Sequence, residues 1–405
     1  MAVSLDVVDA RLRDVDFGSL TITDVMEQLG ALQASGPPVV PVRFHDEVAW
    51  LVVSYDAVAS TFMNEVDLPA SAFYQHYTMP WLGRTVPSMR GSDHRIHRAF
   101  FGAPLLPAKV RARVSDVVLP IANELIDGFA GRNRVDLVAD YATRLPFRVI
   151  TRLFDLPDAD NDMIREYVHK LFFFPWDPDG ATRARNAMLD YLRPFALERR
   201  RNPGRDLISY LASTEVDGHL LGESDLLDFV RFLYPAAGEN TTNGLGLLMY
   251  RVLADENVRR RVQAEPNARA AAIEETLRID PPVTMITRFT EKDITVAGVS
   301  IPANCPVLLG IGAANRDPRQ FEDPAQFSLD RGTINHITFG RGPHFCIGAH
   351  LARAEMRATL DSMLGRLSGL RLVAPGEVRF QGGMQRGPVS LWVEYDAIAP
   401  AMPAG

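Results

Sequence analysis

The sequence is poor in cysteine: Cys305 and Cys346 are the only two among its 405 residues. Two thiols cannot form a disulfide framework, and they cannot supply the four cysteines of a zinc or iron–sulfur site within one chain. Any cysteine chemistry must therefore come from a single thiol.

Long apolar runs and concentrated positive charge are also lacking. The first twenty residues meet an acid at Asp6 and then alternate in charge, which argues against a signal peptide or a membrane span. The net charge is −7 and the basic residues are scattered, whereas nucleic-acid binding needs a concentrated positive face. We therefore predict a cytoplasmic protein that binds neither membrane nor nucleic acid, and that acts on a small neutral molecule.

What is present is the composition of one globular body, with 47% hydrophobic and 23% charged residues. Valine-rich segments between Pro37 and Val53 predict a hairpin, and apolar spacings of three and four predict helices through the middle of the chain. The expected fold class is mainly α with small β-sheets, in a single domain. Its expected parts are an arm over about 1–35, small sheets within about 36–105 and 281–405, and a helix-rich stretch over about 106–280.

The most informative segment is residues 339–355, FGRGPHFCIGAHLARAE. Glycines surround Cys346 directly before a predicted helix, so backbone N–H groups and the positive helix end are expected to lower the pKa of its thiol. This environment suits an iron ligand. Two alternatives are a buried cysteine that acts as a small hydrophobe, and a nucleophile activated by His344 or His350.

This segment resembles the haem-binding loop of cytochromes P450. The matching positions are Phe339, Gly340, Gly342, His344, Cys346, Gly348, Leu351 and Ala352. The resemblance implies a helix-rich triangular prism that holds haem b between a long distal helix and a proximal cysteine loop. Cys346 would be the axial iron ligand, with Phe339, Gly340 and Gly348 beside the cofactor.

A second long segment, from Ser224 to about Glu256, predicts one helix with Ser224 as its N-cap. Pro235, Gly238 and two adjacent threonines lie near its centre. Because such residues weaken a helix interior, we expect a local opening that could handle a ligand or water.

The centre of this segment is similar to the distal helix of the same family, with Ala237 and Gly238 beside the cofactor and Thr241 placed to steady iron-bound dioxygen. The position that is usually an acid holds Asn240, which does not exchange protons in an ordinary way. Our hypothesis is that Glu239 or an altered water chain delivers protons instead. The alternative is that the threonines simply bond to the backbone of a kinked helix.

Other matches surround this site. Glu275 and Arg278 share a helix face, and the resemblance adds Arg331 to a buried network that supports the cysteine loop. The residues implied to bind the haem propionates are His94, Arg98, Arg288 and His344.

Four segments are implied to line an apolar substrate cavity: residues 73–89, 171–176, 281–287 and 382–387. Their candidate residues are Phe73, Tyr74, Trp81, Phe173, Val283, Ile286 and Met384. A small hydrophobic substrate would follow, such as a terpenoid, steroid, fatty acid, aromatic compound or natural-product intermediate. The alternative is that these side chains are ordinary core.

The resemblance implies a monomeric monooxygenase that hydroxylates or epoxidises its substrate with O₂. Electrons would come from a separate ferredoxin (or flavodoxin) and its reductase, which dock near Arg341, Arg353 and Arg357. Two alternative functions remain: a peroxide-using haem-thiolate enzyme of the same fold, and a non-catalytic haem-based binding or sensing protein.

Overall fold

Helices dominate the computed structural model, which describes residues 4–401. The α-helices are Val25–Ala34 (α1), Tyr55–Met63 (α2), Ala70–Phe73 (α3), Met79–Leu82 (α4), Gly91–Gly102 (α5), Pro107–Arg113 (α6), Leu119–Asp127 (α7), Leu145–Leu153 (α8), Asn161–Phe172 (α9), Pro178–Arg201 (α10), Leu207–Ser213 (α11), Glu223–Leu253 (α12), Glu256–Ala264 (α13), Pro266–Ile279 (α14), Ile311–Ala314 (α15) and Ala349–Arg366 (α16). π-helical turns at Tyr74–Thr78, Val114–Val118 and Val138–Ala142 extend or connect them. In the described part of the chain, every helix is too short or too polar to span a bilayer.

Short strands form small sheets around the helices. They are Val39–Phe44 (β1), Glu47–Val52 (β2), Arg134–Asp136 (β3), Glu215–Val216 (β4), His219–Leu220 (β5), Ile286–Phe289 (β6), Ile294–Val296 (β7), Val299–Ile301 (β8), Pro306–Leu309 (β9), Leu367–Ser368 (β10), Arg371–Leu372 (β11), Phe380–Gln381 (β12), Gly387–Pro388 (β13), Trp392–Glu394 (β14) and Ala397–Ile398 (β15). The largest sheet has the order β1-β2-β9-β6, in which only the β2–β9 pairing is parallel.

The core follows the periodicity of these elements. One large apolar cluster surrounds α12 and takes side chains from α7 to α10, α14 and α16. Two smaller clusters lie on opposite faces of the four-stranded sheet: Val307 and Leu309 of β9 pack into one, and Leu308 packs into the other. Because successive side chains of a strand point to opposite faces, β9 is buried on both sides.

Several predictions of elements are confirmed. The hairpin between Pro37 and Val53 is β1–β2, and the helix expected near Gly348 begins at Ala349. Residues 106–280 are mostly helical, but they also hold β3, which pairs with β14, and the β4–β5 hairpin. A three-residue strand whose partner lies far along the chain has too few alternating positions to be recognised locally.

The long helix differs from its prediction in two respects. It begins at Glu223 with Gly222 at the N-cap, so the assignment of Ser224 was wrong. It also runs unbroken through Pro235 and Gly238 to Leu253, so the expected local opening is absent from the backbone. Packing explains this result: Pro235 and Gly238 are buried, and tertiary contacts override the low helix propensity of both residues.

Candidate active site

The cysteine loop, residues 339–348, is folded by its glycines. Gly340 and Gly342 both have φ of 72°, in the left-handed region that favours glycine. A Cβ on Gly342 would lie 2.8 Å from Met63 Sδ, so this position also needs glycine for space. The backbone N–H of Cys346 donates to Phe339 O at 2.8 Å and closes the loop ahead of α16.

The Cys346 side chain is exposed to solvent, yet many protein atoms surround its sulfur and remove part of its hydration. Burial raises the pKa of its thiol, while backbone N–H groups of Gly348 and Ala349 and the positive charge of Arg98 oppose that shift. The expectation of a lowered pKa was therefore wrong for the protein alone, because desolvation outweighs the helix end. The N–H groups still point at the sulfur, where they would stabilise a thiolate bound to a metal ion.

The four residues predicted to bind propionates, His94, Arg98, Arg288 and His344, will be called the cationic socket. The rings of His94 and His344 are 4.1 Å apart, and Arg98 Nη2 donates to Phe345 O at 2.5 Å. Within the described chain, the buried Nε2 of His94 and Nε of Arg288 have no hydrogen-bond partner. Burial, and then the charges of His344 and Arg98, lower the pKa of His94 to about 4. The buried donors of His94 and Arg288 are thus free to bind an anionic group.

Glu65 also belongs to this region, and sequence reasoning missed it. Its Oε2 lies 3.4 Å from His344 Nε2 and accepts a hydrogen bond from Ala70 N at 3.2 Å. Burial opposes ionisation of Glu65, but His344 outweighs it and, with Arg288, lowers the carboxyl pKa. Glu65 follows α2 and is far from the socket in sequence, so no local pattern could have revealed it.

Behind the cysteine loop, Glu275, Arg278 and Arg331 meet as the sequence predicts. Arg278 Nε and Nη2 donate to the two carboxylate oxygens of Glu275 at 2.8 and 2.7 Å, and Arg331 Nε donates to Glu275 Oε1 at 2.7 Å. Glu275 and Arg278 are fully buried. Their remaining donors bind backbone oxygens of Asn315, Glu322, Asp323, Pro324 and Gln326. The network therefore fixes the chain between α15 and the cysteine loop.

The predicted residues at the centre of α12 point to different neighbours. A Cβ on Gly238 would lie 2.5 Å from the Phe147 ring of α8, so this glycine permits close helix packing. Asn240 Oδ1 accepts from Gln385 Nε2 at 3.1 Å, which ties α12 to the β12–β13 hairpin. Thr241 is half-buried, as is Ala237 one turn earlier. Residues 382–387 were expected near the substrate, but no sequence pattern singled out Gln385.

Glu239 faces α9. Burial raises the pKa of its carboxyl group, and the positive charges of His169 and Arg165 oppose the shift. A carboxyl group with a raised pKa can hold and release a proton closer to neutral pH. Glu239 therefore differs from its neighbour Asn240 in both chemistry and surroundings.

The predicted substrate-lining residues all lie half-buried: Phe73, Tyr74, Trp81, Phe173, Val283, Ile286 and Met384. Their segments meet through direct contacts. Trp81 stacks on Phe174 at 6.0 Å between ring centroids, and Tyr77 meets Phe289 of β6 edge-on at 5.7 Å. Val283 forms an isolated bridge with Gln385. The four segments thus converge around one region of the fold.

The three arginines expected at a docking face already have partners. Arg353 binds both carboxylate oxygens of Glu274, at 2.6 and 2.8 Å. Arg357 pairs with Asp361 at 2.9 Å, and Arg341 donates to the Tyr55 hydroxyl. The charges of Arg353 and Arg357 are therefore partly neutralised, whereas Arg341 keeps its full charge because its partner is a neutral hydroxyl.

Glu274 provides a prediction of pH dependence. Burial opposes its ionisation, but hydrogen bonds from Arg353 and His336 outweigh burial and lower its pKa to about 2, from an ordinary value of 4.5. A lowered carboxyl pKa stabilises the fold above pH 4.5, and this contribution is lost as the pH falls toward 2. Since Glu274 is partly exposed, we expect about 1 kcal/mol.

The measurement is urea unfolding of the wild type and Glu274→Gln between pH 6 and 3.5. The wild type should be the more stable at pH 6, and the difference should shrink as the pH falls. A difference that stays constant over this range would contradict the assignment.

An accessible thiol at a helix N-terminus and a cationic socket with unsatisfied donors are the features that a haem-thiolate protein requires. The comparison with protein families agrees, because the profile described as cytochrome P450 matches residues 134–370. The chain belongs to the cytochrome P450 family. It is a monooxygenase-type oxidoreductase, and the family implies a haem cofactor, a substrate, O₂ and redox partners.

Named relatives cover most of the chain. Cytochrome P450 monooxygenase PikC of Streptomyces venezuelae is 32% identical over 368 residues, which are 86% of this chain and 86% of that protein. Mycinamicin IV hydroxylase/epoxidase of Micromonospora griseorubida is 33% identical over 365 residues, which are 87% of this chain and 90% of that protein.

Solved structures agree with the fold. Cytochrome P450 PksS of the Bacillus subtilis bacillaene polyketide synthase has a TM-score of 0.85 and 28% identity, over 92% of this chain and 96% of that chain. CYP109Q5 from Chondromyces apiculatus has a TM-score of 0.85 and 26% identity, over 96% of this chain and 99% of that chain. The mainly α fold with small sheets is therefore the cytochrome P450 fold, as expected.

The residues present fit a haem. Its iron needs a soft axial donor, which Cys346 offers, and its propionates need cations. The unsatisfied donors of His94 and Arg288 would gain partners from those carboxylates.

Proposed function

We propose that this protein inserts one oxygen atom from O₂ into a C–H bond or an alkene of a small hydrophobic substrate, with haem b held by Cys346. The observation that carries the proposal is the Cys346 thiol beside a cationic socket with unsatisfied donors. A haem bound there supplies the activation of O₂. The protein supplies the thiolate donor, the binding of the propionates and the enclosure of the substrate.

The socket would orient the cofactor. His94 and Arg98 lie one turn apart on α5 and so share a face, while His344 comes from the cysteine loop. Arg288 on β6 approaches from the sheet. Groups from three separate elements would therefore hold the two propionates.

The substrate is proposed to be a natural-product intermediate. Two relatives are named for natural-product substrates: mycinamicin IV hydroxylase/epoxidase and cyclomarin C epoxidase CymV. In this chain, half-buried aromatic and aliphatic side chains surround the proposed pocket, which favours an apolar ligand. Trp81 and Phe174 form one wall of it.

The direct test is a spectroscopic screen of apolar compounds against the holoprotein. A bound substrate should displace the distal water and shift the haem iron from low to high spin. A hit that also yields an oxygenated product supports the proposal. NAD(P)H consumption that depends on substrate but gives no product would favour the binding or sensing alternative.

Electrons are proposed to come from a ferredoxin (or flavodoxin) and its reductase. Arg341, Arg353 and Arg357 are candidates for the docking face, although each already pairs within the chain. Turnover that falls with increasing salt would support an electrostatic encounter.

Proton delivery is assigned to Glu239. A surface cleft of about 370 Å³ lies between α8 and α9, and Phe147 and Arg165 are among its lining residues. Phe147 packs against Gly238 and Arg165 acts electrostatically on Glu239, so the cleft approaches α12 next to this carboxyl group. Glu239 and Thr241 are two residues apart and so lie on different faces of α12. On this proposal a water chain carries the proton from Glu239 to the distal side, and Asn240 cannot act as its proton donor.

Removing this carboxyl group should separate O₂ consumption from product formation. For Glu239→Gln we expect turnover to fall roughly 100-fold, with more peroxide released per NAD(P)H consumed and a larger solvent isotope effect. The double variant Glu239→Gln/Asn240→Asp should recover part of the loss, because it restores an acid next to Thr241. If Glu239→Gln forms product at the wild-type rate and with the wild-type yield per NAD(P)H consumed, Glu239 does not deliver the protons.

The peroxide-using alternative is favoured by one observation, namely that Asn240 is held by Gln385 at the position usually occupied by an acid. Turnover with peroxide, together with none when ferredoxin, reductase and NAD(P)H are supplied, would establish it in place of the O₂-dependent reaction.

A further inference from the structure

Two charged residues on α12 are buried against the segment of residues 79–84, which precedes α5. Arg231 is 1% exposed; its Nη1 donates to Trp81 O at 3.0 Å and its Nη2 to Leu82 O. Nη2 also donates to Asp228 Oδ1 at 2.9 Å. The other carboxylate oxygen of Asp228 accepts from Arg84 N at 3.0 Å. Side chains of α12 therefore bind this segment through its backbone.

These contacts cap the C-terminal end of α4. This helix is the last turn of a continuous helical stretch, residues 70–82, that runs through α3 and the π-helical turn. The last carbonyls of such a stretch have no partner within the helix. The Arg231 guanidinium binds two of those carbonyls from outside. Gly83 then turns the chain with φ of 66°, and a Cβ there would lie 2.3 Å from Asp228 Oδ2. The arginine, the acid and the glycine form one closely fitted unit.

Burial makes this arrangement costly. It lowers the pKa of Arg231 to about 10, against the stabilising charge of Asp228, and it raises the pKa of Asp228. An apolar pair of the same volume is often as stable or more stable, so the charged pair is better explained by a geometry that it specifies. A second, outer set of ion pairs joins Arg84 to Asp225 at 3.0 Å and to Asp93 at 2.5 Å.

The segment that is held in this way carries Trp81, which stacks on Phe174 just after α9. We infer that Asp228 and Arg231 are positioning residues that latch residues 79–84 onto α12, and so set how far the Trp81–Phe174 wall opens to a bulky substrate. This inference rests on the proposed function, because it assigns that wall to the substrate pocket. It is independent of the chemistry at the iron and of proton delivery.

The first test is hydrogen–deuterium exchange of the holoprotein. In Arg231→Gln and in Asp228→Asn, the amides of residues 82–85 should exchange about tenfold faster or more, while those of α16 keep the wild-type rate. Asp228→Asn is the milder change, since asparagine can still accept from Arg84 N, and it keeps the test usable if Arg231→Gln folds poorly. Glu223→Gln is the matched control: it removes an exposed carboxylate of α12 that pairs with Arg193.

The second test compares two azoles that bind the same iron but differ in size. Imidazole is too small to reach α4, whereas clotrimazole would press on the pocket wall. The ratio of their dissociation constants should shift at least about fivefold in the latch variants and stay unchanged in Glu223→Gln.

The outcomes are distinguishable. Unchanged exchange at residues 82–85 in both variants, or an unchanged azole ratio, would overturn the latch and leave the proposed function intact. Faster exchange throughout the chain would also overturn it, since the pair would then be a general stabiliser. If the wild-type protein shows no haem-thiolate absorption at all, the proposed function is overturned instead.

Discussion

Cys346→Ser is expected to abolish the thiolate-type absorption of the reduced carbon monoxide complex and to reduce oxygenation to background. A serine hydroxyl at this position would have the same three backbone neighbours, Phe339, Gly348 and Ala349, but it cannot supply the soft, electron-rich sulfur that haem-thiolate chemistry needs. The readout is the difference spectrum of the purified protein, followed by turnover with a substrate found in the spin-state screen.

Cys305→Ser is the matched control for that experiment. Cys305 is 4% exposed, directly before β9, and its thiol lies 3.7 Å from Ala303 O, which suits a packing role. Its replacement should leave the spectrum unchanged. If Cys346→Ser kept the wild-type spectrum, the identity of the axial ligand and the reading of the whole site would have to be abandoned.

The second large effect is expected at Glu275. In Glu275→Gln the carboxylate is lost while Arg278, fully buried, keeps its charge, and Arg331 loses its partner too. Breaking a buried pair from one side leaves an uncompensated charge and costs about 3–5 kcal/mol in the free energy of unfolding. Because the network anchors the chain that leads into the cysteine loop, haem retention should fall as well.

Urea unfolding and the haem-to-protein absorbance ratio measure these two losses. Glu166→Gln serves as the control, because its ion pair with Lys170 lies on the exposed face of α9 and should matter little. A Glu275→Gln protein as stable as the control, with full haem content, would show that the three residues do not support the loop.

Some parts of the site are encoded locally in the sequence, and others are not. The cysteine loop and the Glu275–Arg278 pair were predictable because each is encoded within a short stretch, where glycine spacing or a helical turn dictates the geometry. Arg331 was found through family resemblance, not through any local rule. Glu65, Gln385 and the Asp228–Arg231 pair carry no local pattern, and only the folded chain brings them to the site.

Two errors have the same physical origin. Pro235 and Gly238 predicted a local opening in α12, and the glycine-bounded helix end predicted a lowered pKa for the Cys346 thiol. Each inference used local chemistry alone. Burial reversed both: packing holds the helix continuous, and desolvation raises the thiol pKa more than the nearby N–H groups lower it.

The sequence by itself determined the helix-rich fold class and singled out one thiol in a glycine-rich loop, since periodicity and residue type are local properties. That Asn240 stands where an acid is usual follows from the family resemblance. Only the tertiary structure decided which groups face one another. It placed Glu239 against the charges of α9, tied Asn240 to Gln385, and set Arg231 on the carbonyls of Trp81 and Leu82. These pairings join residues distant in sequence, and their energies depend on burial, which no stretch of sequence specifies alone.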